Sequence, residues 1–317
     1  MNLMTAFHFL TFVETETARS ERVTEVFKDF QDNLFTGITE VQESGAVLFA
    51  IFVRGKIATL YHLNSKAERI ESNHWLDHLE DGVDEIKIRS LSLRITDLRY
   101  FKILIEECSE KTVSIYISPK ELLLKLNNSS NSSITFGESA DLSFLCYVPG
   151  KNAAASRLIT LTPESVKSGS LADLIEYLPQ SMGDVRIYPV QPETQVSAWV
   201  EQQLHEIFVK ATQKLLSVYS SMRERVYLNK ILRALNFKAG ANDWMIFVNA
   251  RNIDDQEIFE SPIKAASVYS ELLGLVVKPF KAELGETLFE QTLVEITETY
   301  SDLEKKLLGS LLEPAVD

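Results

Sequence analysis

The chain predicts an α+β protein, with a β-rich mixed domain over residues 1–190 followed by a helical bundle over residues 195–317. Three observations carry that expectation. The chain has 317 residues, against roughly 100–200 for a typical domain, so two domains are expected. Before about residue 195 the apolar runs are short, rich in β-branched and aromatic residues, and bounded by turn formers; beyond it they recur at steps of three and four. Pro189 and Pro192 stand at the change, where a fixed φ and a missing N–H favour an extended linker.

Taken in order, residues 6–13 read as a strand and 21–30 as a helix. Strands follow at 46–53 and 57–62, with Arg54-Gly55 as the turn because glycine accepts positive φ at little cost. Helices are expected at 73–79, 100–107, 119–126 and 170–178, and further strands at 86–95, 112–117, 142–148 and 184–190. Ser170 reads as the cap of the last of these helices, in which Leu171, Leu174, Ile175 and Leu178 share a face. After the linker, Val200, Leu204, Ile207, Ala211, Leu215, Val218, Met222 and Val226 lie on one stripe. That helix either runs to Leu235 or breaks near Ser220-Ser221, and Gly240 is suited to end it. Residues 244–248 are too few for periodicity to classify, and Ser261-Pro262 pairs a cap with a first-turn proline. The last helical stretch, 279–312, carries Phe289, Leu293, Ile296, Tyr300, Leu303, Leu307 and Leu311 on a narrow, nearly heptad seam.

Acidic residues outnumber basic ones 45 to 32, for a formal charge of -13. Such a surface repels phosphate backbones and anionic lipid, so neither nucleic acid nor membrane is an expected partner. No apolar run approaches the roughly 20 residues of a membrane span. Cys108 and Cys146 are too few for a structural zinc site and fit a reducing, cytoplasmic setting. The amino-terminal apolar run lacks a basic leader, so it is not read as a signal peptide.

The sequence holds no GxxxxGK[ST], GxGxxG or GxSxG string. Of the five histidines, His74 and His78 are four apart, but the glutamate of HExxH is missing and Trp75 follows His74. Neither metal nor cofactor is expected. Glu80-Asp81, Glu106-Glu107 and Asp254-Asp255 read as solvated acids. Arg94 and Arg99 around Asp97, and Arg223 and Arg225 around Glu224, read as surface ion pairs. No catalytic residue is assigned.

One segment carries a family likeness. It runs from a helix at 23–30 through Phe35-Thr36-Gly37-Ile38 to a hairpin in which Phe52, Gly55, Ile57 and Ala58 hold the patterned positions. Over residues 23–62 this resembles the PATAN domain, a module of bacterial signalling proteins. The resemblance implies a regulatory or adaptor role and transfers no catalytic or ligand residues.

The expected function is therefore that of a non-enzymatic bacterial regulatory or adaptor protein acting by protein–protein interaction. Its partner would be another protein or a second copy, as in a homodimer, engaged through Phe289, Leu293, Ile296, Tyr300, Leu303 and Leu307. The alternatives are an enzyme whose site assembles from distant residues, and a small-ligand sensor whose apolar pocket is lined by Tyr61, Trp75, Tyr100 and Phe101.

Overall fold

The computed structural model describes residues 15–18, 20–42, 47–63, 67–70, 86–107, 115–128, 133–138, 142–148, 156–162, 165–173, 185–190 and 197–313. The chain divides into two compact units, Met1–Val196 and Ser197–Asp317. The first is β-rich and the second helical, which makes the protein α+β.

In the first unit, strand β1 (Thr15–Ala18) leads into helix α1 (Ser20–Asp32), then strands β2 (Gly37–Gln42), β3 (Val47–Val53), β4 (Lys56–Leu63), β5 (Ala67–Ile70) and β6 (Ile86–Ser92). They form an antiparallel sheet of order β1-β6-β2-β3-β4-β5. Helix α2 (Ile95–Glu107) follows, then β7 (Ile115–Ile117), α3 (Pro119–Asn127), β8 (Ser133–Glu138), β9 (Ser143–Val148), β10 (Arg157–Thr162), β11 (Ser165–Gly169) and β12 (Val185–Val190). The second sheet has order β11-β10-β9-β8-β12-β7. Read from its other edge, that is the first sheet again: first strand, last strand, then the second to fifth.

The duplication extends to register. A shift of 96 residues carries the Gly37↔Phe52 pair onto Ser133↔Val148. A shift of 99 carries Ala18↔Ile86 onto Ile117↔Val185. The unit is thus a tandem structural repeat. The side chains hide this, because the two copies share little beyond Ile-Thr at 38–39 and 134–135 in the equivalent strands.

Every residue of β3 and of β9 is buried, so both faces of each sheet are covered. Val23 and Phe27 of α1 pack on Leu48, Ala50 and Phe52. Leu122 and Leu126 of α3 pack on Phe144, Cys146 and Val148. Burial of each such side chain contributes about 1.5–3 kcal/mol. The opposite faces meet α2: Tyr61 of β4 hydrogen-bonds Glu106, and Tyr147 of β9 stacks on Tyr100 at 4.8 Å. Residues Tyr100, Phe101, Ile103, Leu104 and Ile105 are all buried, as expected for a helix enclosed on all sides. The layers therefore run α1, sheet, α2, sheet, α3.

Arg54 (φ 48) and Gly55 (φ 78) form the two-residue turn between β3 and β4. Positive φ at both central residues matches the twist of the strands they join. Ser118 starts α3 with a capping box to Glu121 and Pro119 in the first turn. Several sequence expectations change. The 86–95 strand stops at Ser92, and Ile95 already opens α2. Of the predicted 170–178 helix the described residues hold a 3₁₀ turn over Leu171–Asp173, where Asp173 Oδ2 accepts from the N–H and hydroxyl of Ser170; Leu174, Ile175 and Leu178 lie outside them. The predicted elements at 6–13 and 73–79, with Trp75, His74 and His78, lie outside the described residues.

The acids and bases of this unit are less solvated than their spacing suggests. Glu106 accepts from Tyr61 Oη at 2.7 Å and from Arg69 Nη2 at 2.6 Å. Burial, and then the Glu106 charge, push the Tyr61 phenol well above its ordinary range. Asp97 is buried, accepting from Arg94 Nε at 3.2 Å and from Ser168 Oγ at 2.8 Å, and Arg99 is buried too. Glu40 meets Arg89 at 2.9 Å across β2 and β6. Burial raises the Glu40 pKa, and Arg89 opposes the rise. Tyr61, Tyr100 and Phe101, assigned above to a ligand pocket, are buried in the packing around α2.

The second unit consists of α4 (Ser197–Met222), α5 (Arg225–Ala241), a short hairpin β13 (Ile246–Val248) and β14 (Ile253–Asp255), then α6 (Pro262–Leu284), α7 (Glu286–Thr297) and α8 (Asp302–Leu312). The long α4 and α6 supply most of its core, and the other elements cover them. Asn236 fastens the hairpin to α5 by accepting from Val248 N and donating to Val248 O. Ser261 caps α6 ahead of Pro262. Pro279 lies inside α6, and Gly285, at φ 91, separates α6 from α7. The expected 279–312 helix is therefore three segments. The last is restarted by Ser301, which forms a capping box with Glu304.

Candidate interaction face

The break between α4 and α5 rephases the apolar stripe. The sequence continues one stripe through Met222 and Val226, but Arg223 and Glu224 interrupt the helix, and both apolar residues are exposed, at 58% and 60%. The buried stripe of α5 starts afresh at Leu228 and continues through Ile231, Leu235 and Ala239. Gly240 belongs to the last turn, and Asn242 is the cap.

Rephasing turns Val226, Lys230, Arg233 and Phe237 outward, at spacings of four, three and four that align them on one face. Phe237 is 79% exposed. Tyr227 flanks this face, and Lys230 Nζ lies 5.2 Å from its ring centroid, a cation–π geometry. From Arg223 to Asn242 the chain carries five cations and one acid, in a protein of charge -13. Arg223 bonds Glu283 instead of its neighbour Glu224, and Lys238 pairs with Glu271. Those contacts hold the helix to α6. Lys230 and Arg233 make no ion pair among the described residues. Isolated apolar side chains are ordinary on a surface, but an aligned set interleaved with cations is a recognisable docking pattern.

The sequence-assigned seam lies elsewhere. Phe289, Ile296 and Tyr300 are buried in the core of their own unit, and Leu293 and Leu307 pack half-buried against it. Leu303 is also half-buried. Lys210 Nζ sits 4.5 Å from the Tyr300 ring centroid. The seam is spent on intramolecular packing, because α7 and α8 need an apolar face to bind α4 and α6. The opposite face of α7 presents Glu290, Val294 and Glu298, with Val294 69% exposed.

A polar cluster inside this unit was not visible in the sequence. Asp255 Oδ2 lies 2.7 Å from His205 Nδ1 and accepts from Tyr269 Oη at 2.7 Å, while Oδ1 accepts from Glu257 N at 3.0 Å. A carboxylate only accepts, so His205 carries its proton on Nδ1. Asp254 faces outward and Asp255 inward, as strand alternation requires, so Asp255 is not the solvated acid its pairing suggested. Nearby, Glu201 Oε1 accepts from Phe259 N at 2.8 Å. The three residues of the cluster come from two helices and a strand, and no local spacing joins them.

No family model matches the chain. No curated protein matches it either. Among solved structures, it is similar to a DNA polymerase sliding clamp from Pseudomonas aeruginosa, at 10% identity over 61% of this chain and 72% of that one, with a TM-score of 0.14. A DNA polymerase III subunit beta from the same organism is also 10% identical, over 62% and 73%, with a TM-score of 0.14. Likeness at that TM-score carries no argument about this chain. No helix of the described residues is long and apolar enough to cross a membrane.

Proposed function

We propose that this chain is a non-enzymatic regulatory or adaptor protein that acts through protein–protein contact on its helical unit. The outward face of α5 carries the reading: aligned Val226, Lys230, Arg233 and Phe237 have no packing role in their own core. An exposed aromatic costs solubility, and aromatic residues and Arg, here Phe237 and Arg233, are enriched where proteins bind one another. The PATAN-like order of helix, strand and hairpin at 23–62 belongs to the same reading and makes the protein a bacterial signalling component. A cytoplasmic setting agrees with Cys146, a buried free thiol that burial raises to about 12.

A photo-crosslinking residue at Phe237, introduced into the full chain in cell extract, tests this reading. A defined protein adduct that disappears with Arg233→Glu supports it. The absence of any adduct at Phe237, Val226 and Tyr227 overturns it.

One observation favours a second reading, an enzyme with a dispersed site. His205 and Asp255, 50 residues apart, meet in the geometry by which a carboxylate orients an imidazole for proton transfer.

A further inference from the structure

We propose that the α5 face binds a second copy of this chain, on the outward face of that copy's α7. The inference rests on the adaptor reading and names its partner.

Charge complementarity between two faces of the same unit carries it. On α5, two cations stand between two apolar anchors, Val226 and Phe237, over eleven residue steps or about 16 Å. On α7 and its C-cap, two carboxylates, Glu290 and Glu298, flank one apolar residue, Val294, over eight residue steps or about 12 Å. Other charges around these helices are paired, Lys214 with Glu295, Lys238 with Glu271, Lys281 with Glu286 and Arg223 with Glu283, while Arg225 adds a further exposed cation at the start of α5. Lys230, Arg233, Glu290 and Glu298 are left over, with no ion pair among the described residues. They are of opposite sign, and each set shares its face with exposed hydrocarbon, outside the cations on α5 and between the carboxylates on α7.

Both sets belong to one chain, so two copies supply both halves of a contact without any further component. The net charge of -13 repels copies at a distance. At physiological salt that repulsion is screened beyond about 8 Å, while facing groups still attract at contact. The two faces differ, so the contact is heterologous, and each copy offers one donor face and one acceptor face. A copy with a damaged α5 face still presents a sound α7 face, and the reverse holds as well.

Sedimentation of the full chain tests this. Wild type should associate in a concentration-dependent way, and Arg233→Glu or Glu298→Arg alone should weaken association about tenfold or more, a change in binding of one charge-reversed contact. Mixing the two variants should restore a complex, because one contributes the intact α7 face and the other the intact α5 face. Placing both reversals in a single chain should restore association as well. Both substitutions are on exposed positions, and circular dichroism checks that the variants stay folded.

A wild type that is monomeric at about 1 mM overturns the proposal. So does association that either variant leaves intact, or a mixture that fails to recover. An adduct at Phe237 identified as a different protein, with a monomeric wild type, sinks this inference and leaves the adaptor reading standing. No adduct and no association remove both.

Discussion

The Tyr61 hydroxyl donates to Glu106 Oε1 at 2.7 Å, and Arg69 closes on the same oxygen at 2.6 Å. This ties strands β4 and β5 to the central helix α2. Glu106→Ala leaves a phenol and a guanidinium without their acceptor and should destabilise the first unit by about 2–4 kcal/mol. Tyr61→Phe removes one neutral donor and should cost only about 1 kcal/mol. Urea unfolding followed by tyrosine and tryptophan fluorescence checks the order; equal effects would mean that the carboxylate is not the hub.

Gly55 is the least replaceable residue of the β3–β4 turn. Its φ is 78°, and a Cβ there would lie 2.6 Å from Gln31 Cα and 2.8 Å from Phe30 O, both backbone atoms of α1. Gly55→Ala should cost about 2 kcal/mol or more, from strain and from pushing α1 off the sheet. Arg54→Gly, at φ 48, should be close to neutral. Thermal unfolding of the pair gives the comparison.

Ile296 and Val294 are two residues apart on α7, one buried and the other 69% exposed. Ile296→Glu buries an unpaired carboxylate and should cost several kcal/mol, unfolding the helical unit. Val294→Glu should stay within about 0.5 kcal/mol of wild type in stability. Circular dichroism during denaturation separates them; a folded, merely dissociated Ile296→Glu protein would return the seam to the surface.

Asp255 accepts from Tyr269, His205 and the Glu257 N–H. Asp255→Asn turns an amide N–H₂ toward donors on one side and should destabilise the helical unit by about 2–3 kcal/mol. Tyr269→Phe should cost about 1 kcal/mol. A loss confined to stability, with the same partner adduct at Phe237 at permissive temperature, identifies the cluster as a structural pin.

Tyr219 donates to Glu283 at 2.7 Å, and burial, then that bond, raise its pKa to about 12. A raised pKa favours the protonated form in the folded state, so its stabilising contribution is complete below pH 10 and is lost as pH rises toward 12. Tyr219→Phe should therefore flatten the alkaline loss of stability of the helical unit between those values. A wild-type slope that the substitution leaves unchanged would assign that loss to other groups.

Much of the fold was legible because its signals are local. The Arg54-Gly55 turn, the Ser261 start with its proline, and the change of periodicity near residue 195 all depend on residues within a turn of one another. Capping and hydrophobic period act over three or four residues, and a sequence displays them directly. What a neighbour covers is not displayed. Only the tertiary structure decided that the stripe ending in Val226 would be cut at Arg223-Glu224 and turned to solvent, while the seam of Phe289, Ile296 and Tyr300 would be buried against α4 and α6. Only the tertiary structure also joined His205 to Asp255, enclosed Glu106, and matched the strand register of two halves 96–99 residues apart. In each case the deciding interaction is a contact between residues far apart in the chain, and its energy has no period or spacing for a sequence to show.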